Sequence, residues 1–258
     1  MGNRKTIYYK DELNEEFSTA KIIPIIIDKN YKYIHKNPFW NICSYLMQNI
    51  VSMPIKFLYA KIKFRIKYIG KEKLKKYKKE GYFIYCNHTQ DFADTFIPSL
   101  ANYPKRNYFI VNPENVSMKF LKTIVEMLGA IPIPGDKIAM KNFLHLIEKR
   151  IKNGYSITIY PEAHIWPYYT KIRPFKDVSF KYPVEQDVPV FSLTNTYVKD
   201  EKRKDKVKIV SYIDGPFFQN KDLIKKEQQK DLRDRVYECM VKRSKNSNVE
   251  YIKYVREE

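Results

Sequence analysis

Tyr82-Phe83-Ile84-Tyr85-Cys86-Asn87-His88-Thr89-Gln90-Asp91-Phe92-Ala93-Asp94-Thr95-Phe96-Ile97-Pro98 reads as a buried strand that breaks into a polar turn and then a helix. Its first five residues are apolar without interruption, the pattern of a strand covered on both faces. Asn87 and His88 end the run abruptly, and carboxylates follow at Asp91 and Asp94. A second apolar run, residues 155–160, ends the same way in Tyr160-Pro161-Glu162-Ala163-His164. Polar groups released at the ends of two buried strands would meet at one edge of an α/β sheet, where such sheets place active sites. The pattern points to an enzyme.

The flanking segments extend that sheet. Residues 108–111, 131–133, 188–193 and 207–213 also read as strands. Between them, Ser117 is placed to cap a helix carrying Phe120, Leu121, Ile124, Val125 and Leu128, which Gly129 would end. Asp136 is placed to cap another, with Ile138, Phe143, Leu144, Ile147 and Ile151 inside. Residues 221–243 form a charged amphipathic helix. Strands alternating with helices imply an α/β fold with a mixed, largely parallel sheet flanked by helices.

The N-terminal quarter differs. Residues 1–37 are polar and irregular apart from Ile22-Ile23-Pro24-Ile25-Ile26-Ile27. From Pro38, apolar residues dominate to residue 60, and Asn41, Ser44, Gln48, Ser52 and Lys56 fall three or four apart on one narrow stripe. This is a helical pattern with a wide apolar face, too interrupted for a span of about 20 apolar residues. With Trp40 and the following Lys61, Lys63, Arg65 and Lys67 it suits a helix lying in a membrane interface; the competing reading is a helical hairpin packed on the protein's own core. Alternation of Ile62, Phe64, Ile66 and Tyr68 with those cations reads as a half-buried strand. The division expected is residues 1–60 as arm and amphipathic helical membrane-association segment, and 61–258 as the catalytic domain.

Composition bounds the partners. The 258 residues are 44% hydrophobic and 15% aromatic, enough for a substantial core, with a net charge of +19. That surplus favours polyanions: an anionic membrane surface, phosphorylated substrates, acidic carrier proteins or nucleic acid. Lys, Ile, Tyr and Asn are over-used throughout, as an AT-rich bacterial genome would write them, and this shares in the charge. Cys43, Cys86 and Cys239 are widely spaced and odd in number, which fits neither a metal motif nor a disulfide framework and suits a reducing cytosol. The first six residues lack an apolar signal core but match the loose N-myristoylation pattern.

His88 is the candidate base, because a neutral imidazole accepts protons near pH 7 and a carboxylate can fix its tautomer. Both Asp91 and Asp94 are in reach. There is no Gly-x-Ser-x-Gly elbow and no suitably placed thiol. A His–Asp pair alone suits direct transfer, in which the base deprotonates a hydroxyl that attacks an activated acyl group. His145 between Leu144 and Leu146 reads as structural. His164, Trp166, Tyr168 and Tyr169 are candidates for acceptor contact, core or a lid.

Asn87-His88 followed by Asp94, then Tyr160-Pro161-Glu162, Pro174-Phe175-Lys176 and Val188-Pro189-Val190, in this order, resemble the glycerolipid acyltransferase family over roughly residues 60–215. The family's four blocks are Asn-His-x4-Asp, a Gly-rich block with an Arg, Phe-Pro-Glu-Gly-Thr-Arg, and a Val-Pro block. The first and third are specific only together. Here the His-to-Asp spacing is one residue longer, so Asp94 is the choice and Asp91 the alternative. The Gly-rich block corresponds to residues 129–136 without its Arg, Lys137 being the nearest cation, and Ala163-His164-Ile165 stand where the family has Gly-Thr-Arg.

The resemblance implies a membrane-associated acyltransferase at the cytoplasmic face of the cell membrane, peripheral or monotopic, acting in phospholipid biosynthesis. His88 would deprotonate a lysophospholipid hydroxyl, with 1-acyl-glycerol-3-phosphate the foremost acceptor, and Asp94 would orient His88. The donor would be acyl-CoA or acyl carrier protein, with no cofactor or metal. Backbone N–H groups near the His88 turn would stabilise the oxyanion. Asn87, Tyr160, Pro161 and Glu162 would bind or position the acceptor, with Arg173 and Lys176 replacing the missing phosphate ligands. The altered third block leaves two further readings: a different lysolipid or glycolipid acceptor, or an inactive membrane-surface scaffold. A nucleic-acid binder would use the charge and the 22 tyrosines, but no nucleic-acid motif accompanies them.

Overall fold

The computed structural model describes residues 5–17, 22–203 and 206–257. Residues 1–4, which open the myristoylation pattern, lie outside them. The core is a seven-stranded sheet that orders β2 (Lys67–Ile69), β8 (Val207–Phe217), β7 (Val190–Lys199), β3 (Tyr82–Cys86), β6 (Ser156–Ile159), β4 (Asn107–Val111) and β5 (Ala130–Pro132). Every neighbour pair is parallel except β7 with β8, so the sheet is mixed and largely parallel.

β3 lies centrally, and all five of its residues are buried. Phe83 and Tyr85 join one core, with Phe143 and Ile147 of α5 (Lys137–Lys152) and Leu232, Val236 and Met240 of α6 (Lys225–Ser244). Tyr82, Ile84 and Cys86 join the other, with Ile97 and Ala101 of α3 (Ala93–Asn102), Leu74 of α2 (Lys71–Lys75) and Phe64. Successive residues of a strand face opposite sides, so an unbroken apolar run is what two covered faces require. Asp136 caps α5 by accepting Ile138 N and Ala139 N, each at 2.8 Å.

The region before β2 is one helix over residues 38–64, α1, and not a hairpin. Its α-helical stretches Pro38–Leu46 and Ser52–Tyr59 alternate with π turns at Met47–Val51 and Ala60–Phe64. Asn37 caps it by accepting Phe39 N, with Pro38 in the first turn. Arg65, at φ +45, ends it in the left-handed region. The expected strand at 61–68 is therefore corrected: the helix continues to Phe64, and the strand is only Lys67–Ile69. Phe64 and Ala60 continue the buried side of α1 and are themselves buried, so tertiary docking outweighed the local alternation. The helix also crosses the boundary expected at residue 60.

The docked side of α1 is polar. Ser44, Gln48, Ser52 and Lys56 are buried, whereas Phe39, Ile42, Leu46, Ile50, Ile55, Phe57, Leu58 and Ile62 are exposed. Ser44 Oγ donates to Met127 O at 2.8 Å and Gln48 Nε2 to Asn107 O at 2.6 Å, while Arg106 donates to both side chains. Phe120, Leu121 and Ile124, around α4 (Lys122–Met127), are also exposed, as are Ile23, Ile26, Ile133 and Ile138. Ser117, expected to cap the α4 helix, instead accepts Ile25 N at 2.8 Å. No helix among the described residues is long and apolar enough to cross a membrane.

The N-terminal arm, read as irregular, forms a second sheet with the C-terminal tail. β1 (Lys5–Tyr9) pairs in parallel with β9 (Ile252–Arg256), with Lys5 opposite Ile252 and Tyr9 opposite Arg256.

Candidate active site

In β3 and β6, Tyr85 pairs with Ile159. The two strands therefore release Asn87-His88 and Tyr160-Pro161-Glu162 at the same edge. His88 Nδ1 lies 2.8 Å from Asp94 Oδ2. The same oxygen accepts Thr89 N at 2.7 Å and Gln90 N at 2.9 Å. Asp94 sits in the first turn of α3 and is fully buried, which raises its carboxyl above the ordinary range; the His88 ring and the two amides oppose that and favour the carboxylate. Asp91 is exposed and makes no such contact. With a proton on Nδ1 shared toward Asp94, Nε2 is the ring nitrogen left to accept a proton.

Tyr160 stacks on the imidazole, with ring centroids 4.4 Å apart, and its hydroxyl donates to Asp94 O. Asn87 is buried and ties β3 to β7: its Nδ2 donates to Asn195 O at 3.0 Å, and its Oδ1 accepts Asn195 N at 2.8 Å. Asn87 thus braces the strand end instead of facing the acceptor.

Glu162 is also turned inward. Its Oε2 accepts His88 N at 2.9 Å and its Oε1 accepts Arg173 N at 2.9 Å. Arg173 is fully buried: its guanidinium donates to Glu162 O at 3.1 Å and to His164 O, and lies over the Trp166 ring. As placed, Arg173 is a brace of the 162–173 loop, and the expected phosphate contact does not arise because no face of it reaches solvent. Lys176 is exposed, so it keeps a free ammonium near the loop. Pro161 is partly exposed.

The loop closes on the His88 turn through the backbone. Trp166 N donates to His88 O at 3.1 Å, and Tyr168 N to Thr89 O at 3.0 Å. With His88 N given to Glu162, and Thr89 N and Gln90 N to Asp94, the amides of 88–90 are committed. These three amides are therefore not free to serve as oxyanion donors. Trp166 is buried under the N-terminal arm: its Nε1 donates to Glu15 O at 2.7 Å, and its ring contacts Tyr9, Phe17 and Tyr254. Trp166 and Tyr169 are core, while His164, partly exposed, faces Glu16 at 3.4 Å. His145 is exposed on α5. Ala163 adopts φ +63, a conformation that favours glycine.

The residue that motif reading missed is Asn195. Its Nδ2 stands 3.5 Å from Asp94 Oδ1, and its Oδ1 accepts Ser211 Oγ at 2.7 Å. A signal was present, since Ser192, Thr194, Asn195 and Thr196 are polar between the apolar Val190-Phe191 and Tyr197-Val198 of one strand, and buried polar groups need partners.

An acyltransferase family model matches residues 65–195. None of the curated proteins matches. Among solved structures, the 1-acyl-sn-glycerophosphate (LPA) acyltransferase PlsC from Thermotoga maritima superposes with a TM-score of 0.51 at 18% identity, over 82% of this chain and 89% of that one. At that identity the likeness is one of fold.

Proposed function

The chain belongs to the acyltransferase family, and from that premise we propose that it moves a fatty acyl group from an acyl thioester to the hydroxyl of a lysophospholipid. The observation that carries the proposal is the His88–Asp94 pair at the mouth of β3. His88 Nε2 takes the proton of the acceptor hydroxyl as its oxygen attacks the thioester carbonyl. The imidazolium that results is offset by Asp94, and the proton passes on to the departing thiolate. Asp94 holds the tautomer, Tyr160 holds the ring plane, and Glu162 fixes the backbone from which His88 projects. The donor is acyl-CoA or acyl carrier protein. The foremost acceptor is 1-acyl-glycerol-3-phosphate, with exposed Lys176 as the cation for its phosphate.

We place the enzyme on an anionic membrane surface through α1. Helices normally bury their apolar side; this one buries its polar stripe and leaves ten large apolar residues outward. Exposed apolar surface of that extent marks a binding face. Ile23, Ile26, Phe120, Ile133 and Ile138 add apolar surface from segments held together by Ile25 N on Ser117 and Gly135 N on Ile27 O. Phe120, Ile133 and Ile138 follow β4 and β5 and so leave the sheet at the same edge as His88, which would let a lysolipid reach the base from the bilayer.

The test is acyl transfer by purified protein from acyl-CoA and from acylated carrier protein to lysophosphatidic acid and to neutral and glycosylated lysolipids, with His88→Ala in parallel. Transfer to lysophosphatidic acid that the variant loses supports the proposal. Transfer only to another acceptor replaces the acceptor, and no transfer to any of them favours the scaffold reading.

A further inference from the structure

A pocket remote from the His88 turn is lined by Lys32, His35, Arg106, Tyr108, Glu126 and Arg150. Its cavity volume is about 30 Å³. Tyr108 pairs with Ile157, and Ile157 with Phe83. The pocket thus lies level with a residue five positions before His88, about 16 Å back along the strand and two strands across.

The charges here do not balance. Arg106 and Arg150 both pack on the ring of Tyr108, with guanidinium carbons 4.9 and 4.5 Å from its centroid. Arg106 is held by Gln48, Ser44 and Met127 O. Arg150 makes no side-chain hydrogen bond or ion pair among the described residues, and its buried Nε has no partner. The Tyr108 hydroxyl is likewise buried and unpartnered. Glu126, the one carboxylate of the lining, is already committed: Oε1 accepts Tyr31 OH at 2.6 Å, and Oε2 faces His35 Nε2 at 3.9 Å. Two guanidiniums, an ammonium and an imidazole thus surround a single engaged carboxylate, with unused donors on Arg150 and Tyr108. Buried donors left without a partner are costly unless a ligand satisfies them, and guanidinium groups match phosphate oxygens in geometry as well as charge.

We propose that this pocket is a binding site for a phosphate group, distinct from the catalytic turn, with Arg150 and Tyr108 as its principal ligands. Its wall includes Trp40 and Ser44 of α1, whose opposite side carries the exposed apolar residues. A phospholipid headgroup and free phosphate are the two sources of that group.

The experiment follows thermal protection of the full chain by inorganic phosphate against chloride at matched ionic strength. The wild type is compared with Arg150→Gln, Tyr108→Phe and His88→Ala. Saturable protection that Arg150→Gln weakens at least ~tenfold, that Tyr108→Phe weakens less and that His88→Ala retains supports the site. Lys32→Gln, on an exposed residue at the rim, gives a second reading if Arg150→Gln fails to fold. Protection no greater than with chloride, or protection indifferent to Arg150 and Lys32, overturns the proposal. So does protection lost with His88. Sedimentation with phosphatidylcholine vesicles, with and without phosphatidylglycerol, then names the source. Weaker binding of Arg150→Gln than of Lys176→Gln to the anionic vesicles assigns a headgroup; equal binding assigns free phosphate. Either pattern stands on the phosphate protection and supports the site.

Discussion

Glu162 accepts the backbone N–H of His88 at 2.9 Å, so the two signature turns are joined through the main chain of the base itself. The other oxygen of the same carboxylate accepts Arg173 N, and the Arg173 guanidinium stands 3.9 Å from Oε2. A buried carboxylate shared between two turns fixes their separation. It also explains how Glu162 can matter to transfer without touching an acceptor.

Glu162→Ala would leave a buried guanidinium without its counter-ion and two amides without acceptors. Breaking such a pair costs about 3–5 kcal/mol, roughly 6–20 °C in Tm at this chain length. Glu162→Gln keeps one carbonyl oxygen and costs less, about 1–3 kcal/mol. Thermal unfolding of the two variants gives the order. A Glu162→Ala protein that melts like wild type yet fails in transfer would return Glu162 to direct acceptor contact.

Asp94→Asn separates the two candidate carboxylates. An amide can present N–H where the carboxylate accepts three N–H groups, so the imidazole turns to the wrong tautomer. A loss of about 10³–10⁴ in kcat is expected, by analogy with other buried His–Asp pairs. Asp91→Asn, on an exposed residue, should leave kcat within about twofold. Steady-state transfer rates decide between them; the opposite ranking would reject the pairing seen here.

The central strands were legible because burial on both faces leaves an unbroken apolar run, and the turn after β3 because Asn87 and His88 break that run at once. The 61–68 segment misled because its alternation fits a strand and a docked helix end equally, and only contact with the domain decides. β1 and β9 carried no signal: they pair across nearly the whole chain, and short polar strands at the surface need no periodic pattern. Glu162 and Arg173 were legible as important residues but not as buried ones, since sequence does not show that residues 5–17 fold over the 162–173 loop. Asn195 escaped because it belongs to no motif, only to a buried strand with more polar side chains than such a strand usually holds.

Lys56 gives the polar side of α1 a pH signature. It is buried, with Ser99 Oγ at 3.4 Å as its hydrogen-bond partner, and desolvation lowers its pKa from 10.5 to about 8. Below pH 8 the ammonium is charged in both states, and its burial costs roughly 3 kcal/mol. Between about pH 8 and 10.5 the unfolded chain binds the extra proton, so stability rises with pH. Lys105, also lowered to about 8, contributes in the same window. Lys56→Met should therefore raise Tm at pH 7 and flatten, without abolishing, the rise between pH 8 and 10. Identical pH profiles for variant and wild type would show that Lys56 is hydrated.

The outward side of α1 should respond in the opposite way to its docked side. Ile50 and Ile55 are 58% and 60% exposed, so Ile50→Glu with Ile55→Glu removes no core contact, and Tm should stay within about 2 °C. Each isoleucine immersed in lipid is worth about 1.5–3 kcal/mol, so the double variant should lose at least ~tenfold in partition to anionic vesicles. Gln48→Ala inverts the pattern. Arg106 loses an acceptor and Asn107 O its donor inside the interface, lowering stability by about 1–3 kcal/mol while the apolar side is untouched. Vesicle sedimentation and thermal unfolding of the same three proteins read both effects. If the double glutamate variant still bound vesicles like wild type, while its mass in solution fell to that of a monomer, the apolar side would be covering a second copy of the chain instead of a bilayer.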